Sequence, residues 1–102
     1  MRTKYGSRAV EVDGLRFHSK KEAARYRLLK AMEDAGEIEG LLLQPRFPLV
    51  VNGVKICSYV ADFQYLENGV QITEDTKGYR TREYRLKVKL LKALYGIDVR
   101  ET

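Results

Sequence analysis

Asp62, Asp75 and Lys77 are the residues whose types and spacing can do chemistry. Asn68-Gly69 lies between the two aspartates, and a two-residue Asn-Gly loop pairs its flanking residues, here Glu67 with Val70. Counting outward sets Gln64 against Thr73, Phe63 against Glu74 and Asp62 against Asp75. Side chains alternate faces along a strand, so Asp62, Asp75 and Lys77 share one face and Glu74 points to the other. Opposed residues have Cβ atoms ~4.5–5.5 Å apart, and like charges there destabilise a sheet. Val60 and Ile56, assigned to the same face, would add desolvation. Lys77 offsets one of the two charges. A divalent cation would offset both, and hard cations such as Mg²⁺ take carboxylate oxygen ligands. On a solvent-exposed face the same three residues would instead form a surface salt-bridge cluster.

The elements that must position these residues follow from turn and cap signals. Ala9–Val12 and Leu15–Phe17 flank Asp13-Gly14, which predicts a first hairpin. Ser19-Lys20-Lys21-Glu22 fits a capping box, with Glu22 bonding back to the Ser19 amide, and opens a helix over about 20–35. Ala24, Leu28, Ala31, Met32 and Ala35 form its apolar stripe, with Glu22 on the flank, and Gly36 ends it. Glu37–Gly40 reads as a loop. Arg46–Val51, a long run from Val54 to Leu66, and Val70–Lys77 are joined by Asn52-Gly53 and Asn68-Gly69, which predicts a three-stranded antiparallel meander broken by Gly78. A second helix runs from Thr81 or Arg82 to Tyr95, with Tyr84, Val88, Leu91 and Tyr95 on one face. Ile97–Arg100 is a last strand, parallel to the third by a right-handed crossover. The core order is αβββαβ, an α/β (α+β) fold with a mixed sheet flanked by helices, preceded by the short hairpin.

The chain of 102 residues is long enough for one small domain, 1–102, and no more. With 44% hydrophobic and 32% charged residues it is neither a disordered tail nor a low-complexity linker. No apolar run approaches the ~18–20 residues of a membrane span, and no signal peptide is evident. The single cysteine, Cys57, excludes an internal disulfide, and no Cys/His cluster is present to hold zinc. These features describe a cytosolic chain with no membrane partner. The net charge of +5 hides a segregation: residues 1–30 carry +6, 33–76 carry −6 and 77–92 carry +6. Two cationic segments around an acidic middle suit a polyanion-binding surface.

Asp62 and Asp75-Thr76-Lys77, separated by twelve residues, resemble the signature of the restriction-endonuclease-like PD-(D/E)xK nucleases, and the predicted order of elements is similar to their common core. The resemblance is closer to small phage-encoded members grouped with Holliday-junction resolvases. It covers about residues 4–100 and includes Glu11–Gly14, Phe17–Ala23, Tyr59–Phe63 and Glu74–Gly78. One departure is Ala61, where the signature has Pro.

The resemblance implies a phage or prophage endodeoxyribonuclease, working in the host cytoplasm on branched or junction DNA as a homodimer. Asp62, Asp75 and the Thr76 carbonyl would hold Mg²⁺ or Mn²⁺, and Lys77 would orient the attacking water and offset charge on the phosphate. Glu22 matches a first-helix glutamate that completes the metal site in resolvase-type members, and is equally a helix cap. Glu74 is structural. Arg82, Arg85, Lys89 and Lys92 form a basic stripe on the second helix; with Arg80, Lys20 and Lys21 they are either phosphate contacts or a solvated face. Residues 1–8 read as mobile or DNA-facing. Tyr5 and Tyr79 could stack on bases, while Tyr26, Tyr84, Tyr95, Phe47 and Phe63 fill the core. His18 sits next to the helix cap, and Cys57 packs. The alternatives are a nicking or general recombination endonuclease, a non-catalytic nucleic-acid-binding module, and a protein-interaction domain whose acidic middle meets a basic partner.

Overall fold

Three tight turns organise the sheets. Asp13-Gly14, Asn52-Gly53 and Asn68-Gly69 each hold both residues at positive φ, the conformation a type I′ turn requires and one that Asn, Asp and Gly adopt most readily. The computed structural model describes residues 9–77 and 79–102; the expectations for residues 1–8 and for Gly78 lie outside them.

The order of elements is β1 (Val10–Val12), β2 (Leu15–Phe17), α1 (Lys20–Asp34), β3 (Glu39–Leu43), β4 (Arg46–Val51), β5 (Val54–Val60), β6 (Phe63–Glu67), β7 (Val70–Asp75), α2 (Arg82–Tyr95) and β8 (Val99–Glu101). This is an α+β fold. Both helices and the first hairpin lie where the sequence predicts them. β8 runs parallel to β7, with Thr73 opposite Val99 and Asp75 opposite Glu101.

The predicted meander is replaced by two sheets. β3, β6, β7 and β8 form one in that spatial order, while β4 and β5 form a separate two-stranded ribbon. Glu39–Leu43, expected to begin as loop, is a strand antiparallel to β6. The run from Val54 to Leu66 bends at Ala61-Asp62 and becomes two strands. Its partner bends at Gln44-Pro45, and two hydrogen bonds carry the pairing around the corner: Gln44 N–H to Asp62 O at 2.9 Å and Ala61 N–H to Pro45 O at 3.1 Å. Proline cannot donate to a ladder, so the partner bends where the donor is missing.

The alternation of burial survives the corner. Tyr59, Ala61, Phe63 and Tyr65 are all buried, but in two different cores. Phe63 and Tyr65 join Phe17, Ala23, Tyr26, Leu29 and Ile38 beneath α1, whereas Tyr59 and Ala61 join Leu49, Tyr84 and Leu91 beneath α2. Cys57 and Phe47 pack against the second core. Val60 and Ile56 are 41% and 58% exposed, so they do not desolvate the aspartates as expected.

α1 buries a different face from the one predicted. Glu22, Ala23, Tyr26 and Leu29 point inward, while Leu28 is 50% exposed and Ala24, Ala31 and Ala35 face solvent. Tyr26 and Leu29 offer far more apolar area than three alanines, so they decide the rotation of the helix. On α2, Tyr84 and Leu91 are buried as expected. Tyr95 is 46% exposed and covers the core edge, its ring 5.8 Å from Phe47 and its hydroxyl donating to Pro48 O.

Candidate active site

β6 and β7 pair in the predicted register, from Glu67 opposite Val70 to Phe63 opposite Glu74. Asp62, one residue beyond, is fixed from both sides: its N–H donates to Glu74 O at 3.1 Å and its carbonyl accepts from Gln44. Asp62 and Asp75 therefore project from the same face of the sheet, near enough for the charge of Asp62 to raise the Asp75 carboxyl.

Their surroundings differ. Asp62 is half-buried, and its Oδ2 accepts a hydrogen bond from Thr76 N–H at 2.8 Å. Asp75 is fully buried; Tyr59 Oη donates to its Oδ2, whereas its Oδ1 is buried with no hydrogen-bond donor among the described residues. Lys77 Nζ lies 3.7 Å from that orphaned oxygen. Burial pushes the Asp75 carboxyl up to about 7, the neighbouring Asp62 pushes in the same direction, and the Tyr59 hydroxyl and Lys77 only partly oppose them. Asp62 is raised as well, first by burial and, among its charged neighbours, by Glu22.

The other buried acid of β7 has the opposite character. Glu74, on the other face, is fully buried beneath α1. Arg25 meets it with two hydrogen bonds, Nε to Oε2 at 2.5 Å and Nη2 to Oε1 at 2.8 Å, and Tyr65 Oη donates to Oε1. This neutralised carboxylate is structural, as expected: it fixes α1 to the sheet, with Glu22 one turn before Arg25.

Glu22 is only 4% exposed. Its N–H donates to Ser19 Oγ at 3.1 Å, as the capping box predicts. Its carboxylate, however, accepts from His18 N–H at 3.0 Å, one residue earlier than expected. Glu22 thus serves as a cap while standing within electrostatic reach of Asp62. Lys21 reaches across to the motif, its Nζ 3.5 Å from the Lys77 carbonyl, and Lys20 is exposed beside it.

The remaining basic residues divide into two sets. Arg80 is ion-paired with Glu101 at 2.5 Å and Lys92 with Asp98 at 2.8 Å. Arg82, Arg85 and Lys89 are exposed along α2, and none of them makes an ion pair among the described residues. Tyr79 is 65% exposed; Tyr5 lies outside the described residues.

Sequence reasoning missed Tyr59 and Tyr84 as members of the site. Tyr84 presents its ring to Lys77 Nζ, 4.6 Å from the centroid, and its hydroxyl to Glu101 at 2.7 Å. Both phenols are held well above the usual tyrosine range, chiefly by burial. Tyr59 stands three residues before Asp62 and is the one buried residue of β5, and that spacing is the one sequence signal that could have found it.

Among the described residues, no three His, Cys, Asp or Glu side chains converge as a metal-binding group. Two facing carboxylates still suit Mg²⁺, which is commonly bound through one or two carboxylates, with water and phosphate completing its shell. The orphaned Asp75 oxygen and the raised affinity of both carboxyls for a proton are what a cation would relieve.

The chain belongs to a family described as "Protein of unknown function (DUF1064)", which matches residues 2–102. That description assigns no activity. No curated protein matches the chain. No helix among the described residues is long and apolar enough to cross a membrane.

Proposed function

We propose that this DUF1064 protein is a Mg²⁺- or Mn²⁺-dependent endodeoxyribonuclease acting on branched or junction DNA. The observation that carries the reading is the buried Asp75 oxygen, without a donor among the described residues, on the side of the sheet that carries Asp62 and Lys77. A protein gains nothing in stability from two carboxyls that resist ionisation. The same arrangement is useful where a divalent cation must be held. The resemblance of Asp62 and Asp75-Thr76-Lys77 to the PD-(D/E)xK signature points the same way.

Asp62, Asp75 and the Thr76 carbonyl would hold the ion, with Glu22 beside Asp62. When bound, it supplies Lewis-acid polarisation of the phosphate and acidifies water. The chain's own residues do the rest. Lys77 Nζ orients the attacking water and offers positive charge to the scissile phosphate. Lys20 and Lys21 at the start of α1, and Arg82, Arg85 and Lys89 on α2, bind flanking phosphates, as do Arg80 and Lys92 when phosphate replaces their carboxylate partners. Cutting both strands of a junction needs two such sites, hence two copies of the chain.

The test is a cleavage panel of linear, nicked, forked and four-way DNA with Mn²⁺ or with EDTA, alongside Asp75→Ala. Metal-dependent cutting, strongest on four-way DNA and lost in Asp75→Ala with binding retained, supports the reading. DNA binding without any cutting replaces it with a non-catalytic binding module. Cutting of nicked or linear DNA in preference keeps the chemistry and removes the junction preference.

A further inference from the structure

Lys77 carries its charge on a flexible four-carbon stem, and a group that must meet water and phosphate in one place has to be held there. Among the described residues, two contacts hold it. Asp75 Oδ1 lies 3.7 Å away, and the Tyr84 ring centroid lies 4.6 Å away. Neither contact uses an ammonium N–H. A π face attracts the cation without accepting a conventional hydrogen bond, so these contacts leave the three donors of Lys77 available to other partners.

Tyr84 is itself fixed more firmly than a space-filling ring needs to be. Its N–H donates to Thr81 Oγ at 3.0 Å, the cap of α2. Its hydroxyl donates to Glu101 on β8, which also holds Arg80. Its ring packs 6.3 Å from Tyr59, the residue that donates to Asp75. β5 and α2 thus each contribute one phenol, one to the carboxylate and one to the ammonium. We infer that Tyr84 is a positioning residue for Lys77, its ring holding the ammonium beside Asp75 while leaving its donors for the reacting groups. The role rests on the nuclease reading above.

The experiment compares the full chain with Tyr84→Phe, Tyr84→Leu, Lys77→Ala and the Lys77→Ala/Tyr84→Leu double variant, on the DNA that the wild type cuts best in Mn²⁺. Tyr84→Phe keeps the ring but not its anchor on Glu101 and should fall between wild type and Tyr84→Leu, whereas Tyr84→Leu should lose about ten-fold in kcat with KM nearly unchanged. In the Lys77→Ala background, Tyr84→Leu should cost nothing further. A separate readout needs no activity: the ε-methylene protons of Lys77 should be shifted upfield by the ring in wild type and Tyr84→Phe. Those signals at their random-coil position in the wild type overturn the inference, whether or not Tyr84→Leu folds. Full kcat in Tyr84→Leu, or an equal loss with and without Lys77, overturns it too. A wild type that cuts no DNA overturns the nuclease reading and this role with it, while an intact upfield shift would leave the contact itself standing.

Discussion

Lys77 Nζ lies 3.7 Å from Asp75 Oδ1, near enough to ion-pair and too far to hydrogen-bond. Asp75 is therefore a buried carboxylate with one oxygen satisfied by Tyr59 and the other only partly compensated. Asp75→Asn keeps the shape and an acceptor for Tyr59 while removing the charge. It should abolish cleavage and raise the melting temperature of the metal-free protein at pH 8 by roughly 5–15 °C, since ~1 kcal/mol moves a domain of this size by ~4–8 °C. Calorimetry in EDTA checks the second half; an unchanged or lower melting temperature would contradict the burial argument.

The pH dependence has a definite sign. Burial pushes the Asp75 carboxyl up to about 7 in the folded chain, well above an ordinary aspartate. The folded state therefore holds a proton that the unfolded state has released, and stability falls as pH rises between ~4 and ~7. The effect is absent below the unfolded value and complete above the folded one. Thermal melts in EDTA from pH 4.5 to 8 should show this decline in wild type and a smaller one in Asp75→Asn.

Divalent metal should act in the same window with opposite sign. Ligands must be deprotonated to bind, and anything that binds only the folded chain stabilises it by mass action. Mn²⁺ should raise the melting temperature at pH 8 by several degrees and have little effect at pH 5. Asp62→Asn and Asp75→Asn should each remove most of the rise.

The Arg25–Glu74 pair predicts a different mutational pattern. Arg25→Met strands a fully buried carboxylate and should cost ~3–5 kcal/mol, while replacing both partners with apolar side chains is often close to neutral. Denaturant unfolding of Arg25→Met, Glu74→Leu and the double variant measures this. A double variant less stable than either single would refute it.

On α2, Arg82, Arg85 and Lys89 are exposed, whereas Lys92 is paired with Asp98. Each phosphate contact contributes ~0.9 to the slope of log K against log salt on duplex DNA. The triple alanine variant should therefore flatten that slope by ~2–3 and leave stability within ~0.5 kcal/mol per site. Lys92→Ala should change the slope less. Anisotropy titrations in EDTA provide the measurement.

Much of the site was legible because turns are local. Asn68-Gly69 alone set the register that brings Asp62 to Asp75 and sends Glu74 to Arg25, and the caps Ser19 and Thr81 placed both helices. What escaped was non-local. β3 exists because β6 is there to pair with it, and Gly40 within it reads as loop. The corner at Ala61-Asp62 carries no Gly or Pro; its proline is on the partner strand. The inward face of α1 depended on which side chains had a core to fill. Helical spacing said that Tyr84 would be buried, but not that it would meet an ammonium, and nothing in the sequence said that Tyr59 would meet a carboxylate.

The bend that splits the β4–β5 ribbon from the main sheet has a consequence for how such a protein can vary. The first aspartate is anchored at the elbow, and the tip at Asn52-Gly53 lies at the far end of the arm. Residues inserted there in matched pairs keep every inward side chain in phase, and the bulge already present between Leu49 and Val50 shows that the arm absorbs an odd residue too. The outer part of the arm, beyond Leu49 and Tyr59 that build the core beneath α2, can thus be lengthened or shortened without moving Asp62 or Asp75.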